Sequence, residues 1–255
     1  MRKNTKVSII TAVLNNKEYI EGCIKSVSAQ TYKDIEHIII DGGSCDGTKE
    51  ILNSYSNDIA KIIFDNKKGI YNALNKGIDE ATGDIIGILH ADDLYVDNCV
   101  IEKVVGVFNN ENADGVYGDL LYVNKNYPDK IIRYWQAGDF KASKLKSGWI
   151  PPHPALFLRK ELYQRFGSYD PLFTIASDYD FMLRLFLKKE IKISYLREIL
   201  VKMRLGGVSN RDLGCLFKKS SQDYKILKKN SIPFPLLTLA IKNFSKIPQF
   251  IKDKR

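Results

Sequence analysis

"IIGILHADDLY", residues 85–95, sets five mostly branched apolar residues directly against a histidine and two adjacent aspartates. An apolar run of that length, with Gly83-Asp84 before it and charge after it, reads as a strand covered on both faces, the kind found in parallel sheets. A carboxylate without a partner is expensive to bury. Asp92 and Asp93 are therefore expected just beyond the strand, at its carboxyl end.

The same grammar extends outward on both sides. "KVSIITAVL" (6–14) is β-rich, and "KEYIEGCIKSVSAQ" (17–30) places Ile20, Ile24 and Val27 on one helical stripe. "IEHIIID" (35–41) and "IAKIIF" (59–64) read as strands, "TKEILNSYS" (48–56) and "GIYNALNKGIDEA" (69–81) as helices. Downstream, a helix over 98–110 leads to a strand over 114–123. Strands alternating with helices at this spacing imply an α/β chain built on a parallel sheet with right-handed crossovers.

Beyond residue 120 the pattern changes. Residues 122–135 read as a hairpin turning at Tyr127-Pro128-Asp129, and "SGWIPPHPALFLRKELYQRFG" (147–167) as an extended Pro-rich segment, a strand and a helix. "SDYDFMLRLFLKK" (177–189) is a helix with Ser177 or Asp178 as N-cap. "IKISYL" and "ILVKMRL" look like edge strands. From Ser209 onward a basic amphipathic helix precedes a Pro-punctuated basic tail. The expected organisation is one domain over 1–205, with halves 1–120 and 121–205, and a helical tail over 206–255.

A hydrophobic share of 44% with 27% charged residues is that of a globular protein rather than a disordered chain. The net charge of +9 lies entirely in residues 121–255. It suggests an anionic partner, or simply a lysine-rich solvated surface. Cys23, Cys45, Cys99 and Cys215 have no regular spacing and fit a reduced compartment. His37, His90 and His153 lack zinc-ligand spacing. The basic, apolar start mimics a signal peptide but reads as strand one, and no apolar window approaches a membrane span. The expected location is the cytoplasm, or the inner face of the cytoplasmic membrane.

In an open α/β sheet, ligands bind beyond the carboxyl ends of the strands. Three polar clusters fall there: residues 11–16, "DGGSCDGT" (41–48) with Asp41 first off its strand, and 90–93. Asp46 and Thr48 read as caps of the next helix. Taken in order, "VSIITAVLNNKEYIEGCIKSVSAQTY", "IIIDGGSCDGT", "GIYNALNKGIDEATGDIIGILHADDLY" and "SDYDFMLRL" resemble the nucleotide-sugar glycosyltransferases of family 2, over roughly residues 6–207. Among these the chain is most similar to bacterial enzymes of O-antigen, capsule and exopolysaccharide assembly.

The resemblance implies a GT-A fold: a Rossmann-like, mostly parallel central sheet with an acceptor-side α+β region, here followed by the C-terminal helical tail. It implies transfer with inversion from a nucleoside-diphosphate sugar, a UDP-sugar being the expected donor, to a saccharide acceptor, lipid-linked in this reading. By the same resemblance Asp41 would accept a hydrogen bond from the base, and Thr11, Val13 and Asn15 would form the strand-one lip of the pocket. The resemblance would also place Lys68, Asn75 and Asp92 in the nucleotide-sugar site. Asp92 and Asp93 match the family's metal motif, where Mn²⁺ or Mg²⁺ would bridge the donor phosphates. The plain alternative for that pair is a helix cap.

Two departures stand out. His90 replaces the usual Asp or Asn and is a spacer, a supporting donor or a weak ligand. Lys67 replaces a common acidic residue; Lys67 and Lys68 are either phosphate contacts or solvated lysines. For the general base the resemblance selects Asp178, with Ser177 in place of the usual acidic neighbour, while Asp180 is expected to pair with Arg184 at i+4. His153 is the rival base and otherwise an acceptor-side contact. Trp149 and Trp135 would stack on a sugar or pack in the core.

A sugar nucleotidyltransferase is the alternative enzyme, but "TAVLNNKEY" has no glycine for a phosphate loop. A nucleic-acid binder lacks a reader module. In the tail, Leu216, Phe217, Tyr224, Ile226 and Leu227 alternate with Lys218, Lys219, Lys225, Lys228 and Lys229. That pattern suits an anionic membrane surface. The alternatives are packing on the catalytic domain and a homodimer contact.

Overall fold

Branched apolar runs become central strands here because the sheet is covered on both faces. The computed structural model describes residues 5–66, 69–188, 190–206 and 213–244. The front half alternates strand and helix: β1 (Val7–Val13), α1 (Ile20–Ser28), β2 (Ile35–Asp41), α2 (Thr48–Ser54), β3 (Lys61–Phe64), α3 (Ile70–Glu80) and β4 (Ile85–Ile88). These strands pair in parallel in the order β3-β2-β1-β4. Successive β1 residues face opposite layers: Ile9 packs with α1 and α4 (Val100–Glu111), Ile10 with α3. Gly77 of α3 and Gly87 of β4 allow close approach. A Cβ on the first would collide with Ile10, and on the second would lie 2.5 Å from Phe157.

The parallel run ends at β4. The next neighbour is β8 (Leu156–Arg159), antiparallel to β4 and to β6 (Gly115–Val123). The apolar "LFLR" segment fills the place beside β4 that chain order would give to β6. The sheet continues through β9 (Ile193–Arg204) to the short β5 (Leu94–Tyr95), and β7 (Ile131–Trp135) closes the hairpin with β6. It is therefore mixed, parallel over β1 to β4 and largely antiparallel beyond them. The two edge strands expected over 191–205 are one strand. β9 runs parallel to β6 with register shifts around Asp119, and it lies inside the sheet between β6 and β5.

The remaining helices are α5 (Ala142–Leu145), α6 (Lys160–Phe166), α7 (Ser177–Phe186), α8 (Leu213–Lys229) and α9 (Pro235–Phe244). The amphipathic face expected to meet a membrane is used inside the protein: Ile226 and Leu227 of α8 are fully buried in the core that also holds α3 and α7. Residues 207–212 and 245–255, which include Ser209 and the end of the tail, lie outside the described residues. Among the described residues no helix is long and apolar enough to cross a membrane.

Candidate active site

Asp41 is the last residue of β2, paired in register with Val13, rather than the first residue beyond the strand. Its side chain is fully buried. Oδ1 accepts from the Ser44 amide (2.9 Å) and hydroxyl (2.6 Å), while Oδ2 has no hydrogen-bond partner. The strand-one lip is laced to this loop by Asn15. It holds a left-handed φ of 50°, donates its amide to Ser44 Oγ at 2.8 Å, and accepts from the Cys45 amide at 2.9 Å. Of the two expected caps of α2, Asp46 Oδ1 accepts from the amide and hydroxyl of Thr48, the first helical residue, while Thr48 caps nothing and its hydroxyl accepts from the Asn16 amide at 2.9 Å; the N-cap position itself is Gly47.

Thr11 and Val13 face inward. The Thr11 hydroxyl donates to the Leu89 carbonyl at 2.8 Å and lies 3.0 Å from His37 Nε2, and Val13 belongs to the core. Exposed Leu14, which sequence reasoning passed over, lies over Gly42 instead.

The two aspartates after β4 part company. Asp93 is only 1% exposed and accepts from the Arg204 amide at 3.1 Å, leaving Oδ2 unpartnered. Burial, followed by the neighbouring Asp92 charge, holds its carboxyl well above the usual range. The expectation that both residues lie clear of the interior therefore fails for Asp93, because the turn feeds straight into β5 and sends neighbouring side chains to opposite sides. Asp92 is half-buried, and its charge acts on His90, as does that of Asp178. Arg204, unforeseen in the sequence, braces the turn by donating to the Asp92 carbonyl at 2.5 Å.

Mn²⁺ and Mg²⁺ are commonly held by one or two carboxylates plus substrate phosphates. Asp92 fits that role alone. Among the described residues no three His, Cys, Asp or Glu side chains converge as a metal cage.

Opposite stands α7. Asp178 is its second residue and half-buried, with the Tyr71 hydroxyl 3.0 Å from Oδ1 and 2.9 Å from the Ile175 carbonyl. Neither Ser177 nor Asp178 caps this helix. Gln222 of α8 instead braces the residues leading into it, its Oε1 accepting from the amides of Ile175 (3.0 Å) and Ala176 (3.2 Å). Asp180 faces away and pairs with Arg184 at 2.8 Å, as expected from the i+4 spacing.

His153 is buried, with Nε2 2.8 Å from the Tyr169 hydroxyl and its ring 5.8 Å from that of His90. The Asp178 charge acts on both rings. His90 thus sits beside His153 and feels the charges of both Asp92 and Asp178. The other candidates lie outside this group or are otherwise engaged. Asn75 spends both ends of its amide on the Tyr169 backbone, at 2.8 and 3.0 Å. Trp149 packs edge-on to Tyr117 and donates Nε1 to the Ala137 carbonyl at 3.1 Å. Trp135 stacks on Tyr122. Lys67 and Lys68 lie outside the described residues. Two cavities of about 200 and 190 Å³ open elsewhere, beside His37 and beside Lys160.

Burial pushes His37 down to about 3 and His153 to about 4, and also lowers His90. All three are neutral in the folded protein at pH 7, whereas the unfolded chain takes up protons as pH falls through 6.5. Their contribution to stability is complete above that value and is lost as pH falls toward the folded-state values. Each histidine contributes up to about 1.4 kcal/mol per pH unit within its window. The Tm should therefore fall between neutral and mildly acidic pH, and His37→Gln should flatten that slope. An unchanged slope in the variant would remove His37 from the effect.

Asp92 follows β4 and Asp178 opens α7, and the charges of both act on His90. Residues 8–167 match the family model for glycosyl transferase family 2, and the chain belongs to that family of glycosyltransferases. A PGL/p-HBAD biosynthesis glycosyltransferase of Mycobacterium bovis is 30% identical over 208 residues, covering 80% of this chain and 78% of that protein. An uncharacterized glycosyltransferase of Nostoc is 32% identical over 179 residues, covering 66% and 55%. Among solved structures, Staphylococcus aureus TarS 1-349 superposes with a TM-score of 0.69 at 15% identity, covering 98% of this chain and 75% of that one. The Pyrobaculum calidifontis mannosyltransferase PcManGT, in complex with GDP-Man and Mn²⁺, gives 0.66 at 18% identity, covering 97% and 73%. The fold is GT-A-like, with C-terminal helices.

Proposed function

We propose that the chain transfers a sugar, with inversion, from a nucleoside-diphosphate sugar, a UDP-sugar in the first instance, to a saccharide acceptor. The observation that carries this reading is that His90, whose ring lies 5.8 Å from that of His153, feels the charges of both Asp92 and Asp178. The base end of the donor meets Asp41, whose unpartnered Oδ2 is suited to accept an N–H. Asn15 and Ser44 fix the lip around it. Asp92 would hold Mn²⁺ or Mg²⁺, which when bound offsets charge on the departing nucleoside diphosphate. Asp178 accepts the proton of the attacking acceptor hydroxyl, and Tyr71 orients its carboxylate. His153, kept neutral by burial and engaged with Tyr169, lines the acceptor side.

TarS bound to UDP-GlcNAc and PcManGT bound to GDP-Man and Mn²⁺ support a nucleotide-sugar donor and a divalent ion. The mycobacterial relatives named for PGL/p-HBAD biosynthesis support a biosynthetic glycosyltransferase; the acceptor in this reading is lipid-linked and met at the inner face of the cytoplasmic membrane. The test is a panel of nucleotide sugars incubated with the purified protein, with and without Mn²⁺. One donor should be hydrolysed or raise the Tm in a metal-dependent way. If the whole panel is inert under both conditions, the donor reading fails.

A further inference from the structure

Helix α9, "PLLTLAIKNF" (235–244), is amphipathic the wrong way round for a surface helix. It turns Thr238 and Lys242 toward the protein, where both are buried. Thr238 donates its hydroxyl to the Lys146 carbonyl at 2.8 Å, and Lys242 pairs with buried Asp223 of α8 at 2.8 Å. The Lys242 ammonium also lies over the Tyr179 ring of α7, and Gly148 leaves room for its stem. Half-buried Leu239 completes the inward side. The outward arc is apolar: Leu236 is 70% exposed, Leu237 58%, Ile241 41% and Phe244 70%, with exposed Ala240 between them. At 100° per residue these five positions fall on one side of the helix, opposite Thr238 and Lys242. Phe234, just before the helix, and Phe217 on α8 are also exposed, at 77% and 80%.

Ordinary surface helices bury the apolar stripe and show the polar one. Here the polar stripe is the anchor, built from a buried ion pair and a hydroxyl, and a contiguous apolar face is left outward. Such a face marks an interaction site. The charge around it indicates the partner. The only acidic residue in 213–244 is Asp223, which is buried, whereas Lys218, Lys225 and Lys228 of the adjoining α8 are exposed. Two copies meeting through this surface would bring like charges together. An anionic bilayer accepts the apolar arc among its acyl chains and the lysines among its headgroups.

We infer that α9 is a docking face that seats the enzyme on an anionic membrane surface, with α8 supplying the electrostatic rim and the Lys242–Asp223 pair fixing the face to the catalytic helix. The purpose of the seat, reaching a lipid-linked acceptor, rests on the function proposed above; the docking face itself does not.

Flotation of the full chain with phosphatidylglycerol–phosphatidylcholine vesicles and with phosphatidylcholine alone tests it. The wild type should float with the anionic vesicles and less with neutral ones, and added salt should weaken binding. Leu237→Asp with Ile241→Asp should lower vesicle binding roughly tenfold or more while leaving the Tm and donor hydrolysis unchanged, because both side chains face outward. Lys225→Glu with Lys228→Glu should remove the preference for anionic lipid. Undiminished flotation of the aspartate variant would overturn the inference. So would a wild type that binds no vesicle, including one whose self-association is lost in the same variant, which would make a second copy the occupant. Flotation as expected from a protein inert toward every nucleotide sugar would leave the docking face standing and fault the donor reading instead.

Discussion

Asp178→Asn is expected to lower turnover roughly 100-fold or more, the range lost when a general base is removed. The amide keeps the shape of the side chain and can still meet the Tyr71 hydroxyl, 3.0 Å from Oδ1 in the native protein. What it cannot do is accept a proton. Helix α7 should keep its place because the residues leading into it are held by Gln222 and because Arg184 on its far side donates to the Phe166 and Ser168 carbonyls, none of which involves Asp178. Donor affinity and Tm should therefore stay close to native while the chemical step slows. A loss confined to donor affinity would move the base elsewhere, with His153 next in line. That outcome would be hard to reconcile with a ring held neutral by burial, with His90 beside it acting the same way, and already engaged with Tyr169.

Asp92→Ala should be as damaging by a different route. Loss of charge stabilisation at the leaving group is worth several kcal/mol, so transfer should fall roughly a thousandfold. UDP binding followed by calorimetry should also lose its response to Mn²⁺. Asp93→Asn should behave otherwise. Asp93 is sealed beneath the turn on the Arg204 amide, and the neutral amide can preserve that contact without an ionisable group in a buried setting. Its Tm should hold or rise, and its turnover should fall far less than that of Asp92→Ala. Near-native turnover in Asp92→Ala would refute the metal role given to Asp92. Equal damage in Asp93→Asn at unchanged Tm would return the role to Asp93.

The front half of the fold was legible because its strands are nearly continuous Ile and Val runs bounded by turn residues, and each helix carries one apolar stripe. The rear half was harder. "LFLR" at 156–159 gives no sign of sitting between β4 and β6, since that neighbour relation is set by the tertiary fold rather than by local pattern. The join of two apparent edge strands into β9 depends on register shifts opposite Asp119, which hydropathy does not record. In the site, motif order singled out Asp41, Asp92 and Asp178. It did not separate Asp92 from Asp93, because adjacent residues differ only in the side of the turn they face. Tyr71, Arg204 and Gln222 went unseen for a related reason: each acts on a residue roughly 45 to 110 positions away. In the tail, alternating apolar and basic residues on α8 suggested a membrane face, but Ile226 and Leu227 fill the core, and the outward apolar arc belongs to α9.

Inversion through a single displacement, with Asp178 as the base, is most directly tested by the first-formed anomer of the sugar released when the enzyme slowly hydrolyses an α-linked nucleotide sugar without acceptor, followed by proton NMR before mutarotation. Water then takes the place of the acceptor hydroxyl on the face opposite the leaving group. The expected first product is the β anomer, formed at a rate that falls in Asp178→Asn. Release of the α anomer would contradict single displacement, and with it the role given to Asp178.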